Sequence, residues 1–350
     1  MSRIQIVEIG EKGCHAGTKA VEDVCLISKK LGFEPLNVTL KTNKLTLGAK
    51  IYRQVGYIFD WKKNVHKIKS NDIVLLQFPF LIKMLNRENS IKLIKKKNAK
   101  IITIIHDVEE LRGFLNNSYA ENDFNLVLEY SDIFIVHNER MKEFFVSKNI
   151  SPDRVVVLEI FDYLYDLQHT KKVKFSKSIV VAGNLNNQKS PYIKQLEKLR
   201  DIDVILYGPN YDSSDNTAKS LHYKGVVSPD ILPSILDEGF GLVWDGTSID
   251  TCDGPAGNYL KYNNPHKLSL YLVAGLPVII WKQAAEAEFV EKNHLGICVD
   301  SLRELEDIFA KMTEDEYLGY CYSVEKISRK IATGEYMTYA LKKGLTILSK

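Results

Sequence analysis

A strand-then-helix rhythm, repeated along most of the chain, constrains the fold more than any other feature. Short β-branched runs at 4–9, 35–40, 72–77, 100–105 and 132–136 read as strands. Between them, 19–31, 80–97 and 138–148 carry apolar residues at helical spacing. Strand, helix, strand at this interval builds βαβ units, hence a parallel sheet covered by helices on both faces. The rhythm restarts after Ile160-Phe161-Asp162-Tyr163, with strands expected at 178–181, 203–206, 221–224, 239–244, 277–281 and 297–299. The polar, lysine-rich stretch 162–177 is the expected linker, and 314–350 reads as helical. The expected architecture is two doubly wound α/β domains facing each other, with ligands at strand C-terminal ends in the cleft between them.

Composition agrees with that size. With 350 residues, and about 100–200 residues per domain as the norm, two domains are expected. The 47 basic against 44 acidic residues leave a net charge of only +3, too balanced for a dedicated nucleic-acid binder. The N-terminus lacks the long apolar stretch of a signal peptide, and the longest apolar run, 268–281, is broken by Gly275 and Pro277. Five scattered cysteines without a CxxC pair argue against a disulfide framework and against a structural zinc site. The chain reads as cytoplasmic.

Asn263-Asn264-Pro265-His266-Lys267 is the most informative segment. Asn264 can cap a helix, Pro265 suits its first turn, and Gly275 ends it before a buried strand. Exposed N–H groups at a helix start attract anions, and Lys267 adds a full positive charge; a solvated lysine is the bland alternative at even odds. Gly183-Asn184 after a strand, with Lys189 beyond, forms a second anion candidate, although an ordinary turn is the commoner reading. Tyr207 can place an aromatic ring beside a nucleobase, or simply pack.

Near the N-terminus, Gly10 to Lys19 is not a P-loop, because Thr18 precedes Lys19, and no GxGxxG fingerprint occurs, which disfavours a nicotinamide-dependent enzyme. It remains a glycine loop, with Gly13, Gly17 and Thr18 suited to touching a sugar or phosphate. His106-Asp107 follows a strand where an acid or base is useful, although Asp107 also suits a helix cap with Glu110 three positions on. Asp201-Ile202-Asp203 spells DxD but precedes a strand, so no metal is expected from it. The lysines of 91–100, with Lys83 and Arg87, predict a basic helical face, either solvated or drawn to anionic lipid.

Together these segments resemble bacterial β-1,6-galactofuranosyltransferases of O-antigen and capsule assembly. The likeness runs through Trp244-Asp245-Gly246, Asp250-Thr251-Cys252 and Gly257 to Lys267, with His106-Asp107, Arg112-Gly113, 160–163 and 182–185 in matching order. A related branch, the glucosyltransferases of streptococcal adhesins, shares 239–244 and the Lys267 helix but lacks the segment from Asp245 to Asn264.

The resemblance implies a metal-independent, inverting glycosyltransferase of GT-B architecture, needing no cofactor beyond its donor. Residues 1–162 would bind the acceptor and 163–330 the nucleotide sugar, with a helix at about 330–350 packing back onto the first domain. Lys267 and its helix would contact the diphosphate, and Lys189 would stand where the adhesin branch has an arginine, with one residue inserted before it. Asp245, Asp250, Asn264 and His266 would line the donor site. The base falls to Asp107 first, then His106 or His15. The donor would be UDP-galactofuranose, or UDP-glucose as the rival, and the acceptor a glycan, soluble or lipid-linked. The adhesin branch also implies a homo-oligomer. A silent glycosyltransferase-like subunit is the reading from a different class.

Overall fold

The computed structural model describes residues 1–10, 16–113, 118–188, 190–212 and 219–349. Gly13, His15 and Lys189 lie outside the described residues. The chain forms two compact units. One comprises Met1–Gly13, Val21–Leu158 and Met337–Lys350, the other Cys14–Ala20 and Glu159–Tyr336.

The first unit alternates β1 (Arg3–Ile9), α1 (Ala16–Lys30), β2 (Phe33–Thr39), α2 (Leu47–Lys67), β3 (Ile73–Phe78), α3 (Arg87–Lys96) and β4 (Lys100–Ile105). It continues through α4 (Glu109–Arg112), α5 (Ser118–Tyr130), β5 (Ile133–Val136), α6 (Glu139–Ser147) and β6 (Val155–Val157). The strands pair in parallel in the order β2-β1-β3-β4-β5-β6. IVLLQF, KIITII and IFIV are apolar on both faces because helices cover both sides of a parallel sheet.

Several elements depart from the sequence reading: α2, α5 and β6 were not expected, and one expected helix starts late. Helix α2 was not anticipated, because apolar residues occur on both its faces and blur the 3.6-residue period. The helix expected over 80–97 starts only at Arg87. Before it, three backbone N–H groups donate to side chains instead of helix carbonyls: Ile82 to Glu8, Met84 to the Tyr119 hydroxyl and Leu85 to Gln54. Arg87, read as part of a basic surface, is 1% exposed and bridges Glu8 at 2.8 Å and Asp123 at 3.0 Å. A buried guanidinium needs such partners, since leaving it unpaired costs several kcal/mol, ~3–5 in typical cases.

The second unit runs β7 (Lys174–Ala182), α7 (Tyr192–Gln195), β8 (Asp203–Tyr207), β9 (Leu221–Tyr223), α8 (Leu232–Ile235), β10 (Glu238–Val243) and α9 (Gly254–Tyr259). Then follow α10 (His266–Val273), β11 (Val278–Trp281), α11 (Ala287–Lys292), β12 (Gly296–Val299), α12 (Glu304–Lys311) and α13 (Glu314–Thr333). Strand β7 begins at Lys174, inside the expected linker, because Lys174 N–H donates to the Asp237 carbonyl and extends the sheet. After Gly334 comes α14 (Glu335–Leu348), whose Gly344 lies close to Ile102 and Ile133 in the first unit.

The second sheet has the order β12-β11-β10-β7-β8-β9, all parallel. The chain leaves β7 toward β8 and β9, then returns to the other side of β7 for β10, β11 and β12. Connections diverge there, which opens a crevice at the C-terminal ends of β7 and β10. The corresponding reversal in the first sheet lies between β1 and β3.

One buried carboxylate stands out in the second unit. Glu286, before α11, is 1% exposed, and neither carboxylate oxygen has a hydrogen-bond partner among the described residues. Burial raises its carboxyl pKa well above the usual range, so the fold holds it neutral. A raised carboxyl pKa contributes stability that is complete below the unfolded value of about 4.3 and is lost as pH rises toward the folded value. Glu286→Gln, which mimics the neutral acid, is therefore expected to match the wild type in acid and to melt at increasingly higher temperature as pH rises. Thermal unfolding across pH checks this, and a pH-independent offset contradicts it.

Candidate functional site

Helix α10 assembles the crevice from two side chains one turn apart. Lys267 Nζ donates to the Trp244 carbonyl and to Asp245 Oδ2, both at 2.9 Å, at the C-terminal end of β10. Four residues on, the Tyr271 hydroxyl accepts the Ala182 N–H at 2.8 Å, at the C-terminal end of β7. The helix can lie this close because β10 carries Gly241, where a Cβ would come within 2.1 Å of the Tyr271 ring. The rest of α10 is apolar and buried, including Leu268, Leu270, Leu272 and Val273. Lys267 is thus a fixed cation at the switch point, not a solvated side chain.

The helix starts differently from the sequence reading. Its N-cap position is Pro265, and no side chain caps it. Asn264, expected as the cap, is 4% exposed and donates to the Glu159 carbonyl at 2.8 Å. His266 turns the same way. Its Nε2–H donates to the Asp162 carbonyl at 3.1 Å, and its ring stacks on Tyr163 at 4.9 Å. Burial holds its pKa down at about 4, so it packs as a neutral ring and supplies no positive charge for a phosphate. Ser269 adds a hydrogen bond to the Phe161 carbonyl at 2.6 Å. Asn264, His266 and Ser269 therefore hold the 159–163 segment against α10.

Two loops face the same strand ends. After β7, Gly183 N–H donates to the Tyr207 carbonyl at 3.0 Å, and Leu185 N–H to the Pro209 carbonyl at 2.9 Å. Asn184 Oδ1 accepts the Asn186 N–H at 3.1 Å and Asn210 Nδ2 at 3.0 Å, tying the β7 and β8 turns together. A Cβ at Gly208 would sit 1.7 Å from the Gly183 carbonyl oxygen, so only glycine fits this approach. Gly183, Asn184 and Tyr207 are thereby gathered, and burial raises the Tyr207 pKa and keeps its phenol protonated. Asp250 is engaged by a side chain of its own unit. Arg303 Nε donates to it at 2.5 Å, and that guanidinium holds its carboxyl below the usual carboxylate range. The second carboxylate of the DxD spelling, Asp203, contacts His222 at 2.9 Å.

The N-terminal loop candidates also move. Gly17 and Thr18, expected on the acceptor side, group with the second unit. The anchor is Lys19, 8% exposed, which donates to the Leu164 carbonyl at 3.0 Å and lies 5.0 Å over the Tyr163 ring. Tyr163 thus contacts both His266 and Lys19. Neither Lys19 nor Tyr271 was singled out from the sequence; the Gly239-Phe240-Gly241 run was the available signal for close helix approach.

In the first unit, His106 follows β4, and its Nε2 lies 2.7 Å from Gln77 Oε1. The Gln77 amide nitrogen donates to the Val21 carbonyl and to Cys25 Sγ. Its oxygen must therefore accept from His106 Nε2–H, leaving Nδ1 as the basic nitrogen. Asp107 does not cap α4, whose N-cap position is Val108; its carboxylate lies 3.5 Å from Arg112.

Comparison with known proteins fits this geometry. Residues 3–160 match the N-terminal domain of the glucosyltransferase 3-like family, and residues 179–344 match its C-terminal domain. The β-1,6-galactofuranosyltransferase WbbI of Escherichia coli K12 is 37% identical over 245 residues, covering 69% of this chain and 70% of WbbI. Glucosyltransferase 3 of Streptococcus gordonii is 27% identical over 328 residues, 93% of each chain. Among solved structures, Anabaena HepE in complex with UDP superposes with a TM-score of 0.61 at 12% identity, covering 98% of this chain and 99% of HepE. With two Rossmann-like units of GT-B type and both family domains matched, the chain belongs to the glucosyltransferase 3-like family.

Proposed function

We propose that this protein is an inverting glycosyltransferase that moves galactofuranose from UDP-galactofuranose to a hydroxyl of a cell-surface glycan precursor. The observation that carries this reading is the Lys267 ammonium, held at the switch point of the second sheet in the first turn of α10. The likeness to WbbI supports the sugar, and the bound UDP of HepE supports the nucleotide.

In this reading the acceptor hydroxyl oxygen attacks the anomeric carbon as the bond to the UDP β-phosphate oxygen breaks. Negative charge grows on that oxygen, and Lys267 with the uncapped start of α10 meets it without a metal. Lys267 exchanges its Asp245 contact for the diphosphate, freeing the carboxylate for a sugar or ribose hydroxyl. Gly183, Asn184 and Tyr207 offer backbone, amide and phenol groups to the nucleotide. The base that takes the acceptor proton belongs to the His106-Asp107 pair, with Asp107 the first assignment. The work is done at the inner face of the membrane, on a glycan carried by a lipid or free in solution, by a homo-oligomer.

Lys267→Ala is expected to weaken UDP binding by roughly 10- to 150-fold, the worth of a charge-assisted contact, in a chain that still folds. Calorimetry checks it, and unaltered affinity in a folded variant removes the diphosphate assignment.

Asp107→Asn is expected to cut turnover by about 100-fold or more while UDP affinity holds. If only His106→Gln has that effect, the imidazole is the base.

Glucose is the second donor reading, favoured by the likeness to S. gordonii glucosyltransferase 3 along 93% of the chain. Product mass spectrometry with UDP-galactofuranose and UDP-glucose offered separately to a simple glycoside distinguishes the two.

A further inference from the structure

Helix α2 is apolar where a surface helix is normally charged. Its packed side consists of Tyr57, Trp61, Asn64 and Val65. At about 100° per residue, Ile51, Val55 and Phe59, spaced i, i+4, i+8, fall on the opposite side together with Tyr52. All four are exposed, Phe59 by 68%, and Leu45 and Leu47 extend the stripe at the helix start, Leu47 at 75%. The Gln54 side chain hydrogen-bonds both the Lys83 carbonyl and the Leu85 N–H, fixing the 81–85 loop alongside. That loop adds exposed Leu81 and Leu85, the latter 81% exposed. An exposed apolar surface of this extent marks an interaction face.

Charge decides what it meets. Residues 41–71 contain eight lysines and arginines and a single carboxylate, Asp60. Asp60 is already engaged by Lys41 at 2.8 Å and by the Thr39 N–H. Lys62 and Lys63, one turn beyond Phe59, emerge on either flank of the stripe, and Lys44 and Lys50 are exposed near its start. A second copy of this chain would set the same basic cluster against itself, which opposes association. An acidic protein would satisfy the lysines but gives no reason for protruding Phe59, Leu47 and Leu85. A phospholipid surface accounts for both, since aliphatic and aromatic groups enter the headgroup–acyl boundary while lysines pair with phosphates.

We infer that the outward face of α2 with the 81–85 loop docks onto an anionic bilayer. Among the described residues no helix is long and apolar enough to cross a membrane, so this contact is peripheral. It also replaces the basic 83–100 face expected from sequence. There Lys92 pairs with Glu88, Lys95 with Asp132, Lys97 donates to the Val65 and Ile68 carbonyls, and Arg87 is buried. The inference does not depend on the donor sugar or on catalysis.

The test is co-sedimentation of the full chain with vesicles of phosphatidylcholine alone or mixed with phosphatidylglycerol. The wild type is expected to bind the mixed vesicles in a salt-sensitive manner and the neutral ones far more weakly. Ile51→Glu/Val55→Glu/Phe59→Glu and, separately, Lys44→Glu/Lys62→Glu/Lys63→Glu are each expected to weaken binding by about tenfold or more, with wild-type melting temperature and UDP affinity. Absence of binding to the mixed vesicles, or binding by either variant that equals the wild type's, overturns the inference. So does light scattering in which the wild type is an oligomer that the triple apolar variant dissolves, because the stripe would then cover a second copy.

Discussion

Lys267 and Tyr271, four residues apart on α10, tie together the C-terminal ends of the two central strands of the second sheet. One holds the carbonyl that ends β10 and the carboxylate beyond it; the other accepts the last N–H of β7. Everything else in that unit's crevice is arranged around these contacts. The β7 turn carries Gly183 and Asn184, the β10 exit carries Asp245, and neither loop would be placed if the helix could slide or roll. The helix cannot, because Gly241 lets the Tyr271 ring seat against the sheet and the remaining α10 side chains are buried. A hydroxyl–amide bond of this kind contributes only about 1 kcal/mol net, yet leaving its donor buried and unmade costs about 1–3, which makes the geometry selective rather than merely stable.

The same helix fixes the 159–163 segment through Asn264, His266 and Ser269. Three polar side chains of a kind that can serve a ligand are used instead to satisfy main-chain carbonyls of an irregular stretch. An irregular buried backbone has no ladder to complete its hydrogen bonds, so side chains must do it. The 160–163 and 263–269 segments are thus the two halves of one packed structure. Tyr163, stacked on His266 and covered by Lys19, shows the same economy, and His266 is neutral there because burial disfavours the imidazolium.

In the first unit the corresponding constraint is electrostatic. Arg87, enclosed by Glu8, Asp123 and the Ile82 carbonyl, turns 80–86 from helix into a shaped loop at the C-terminal edge of β3. Nearby, Gln77 orients His106 by accepting its Nε2–H, an arrangement that places a basic nitrogen beside the strand ends. The loop's outward leucines and the apolar outer face of α2 are then available for an external surface, since neither is needed by the core.

How much was legible follows from these cases. Local pattern sufficed for the α/β class, for the strands at 4–9, 100–105 and 203–206 to within a residue, and for Lys267 at a helix start, because β-branched runs and breakers act through nearest neighbours. Helix α2 escaped because its two faces are both apolar, and its outer one is explained by nothing inside the fold. Asn264 looked like a cap, and Asp107 looked like another, because capping is judged from adjacent residues, whereas the partner that claimed Asn264 lies about a hundred residues away in sequence. Sequence alone determined the alternation of strand and helix, most of the strands and which residues can bear charge. Only tertiary structure decided which of those polar groups were left for chemistry, because each buried carbonyl, amide or guanidinium first had to find a partner brought near by the fold.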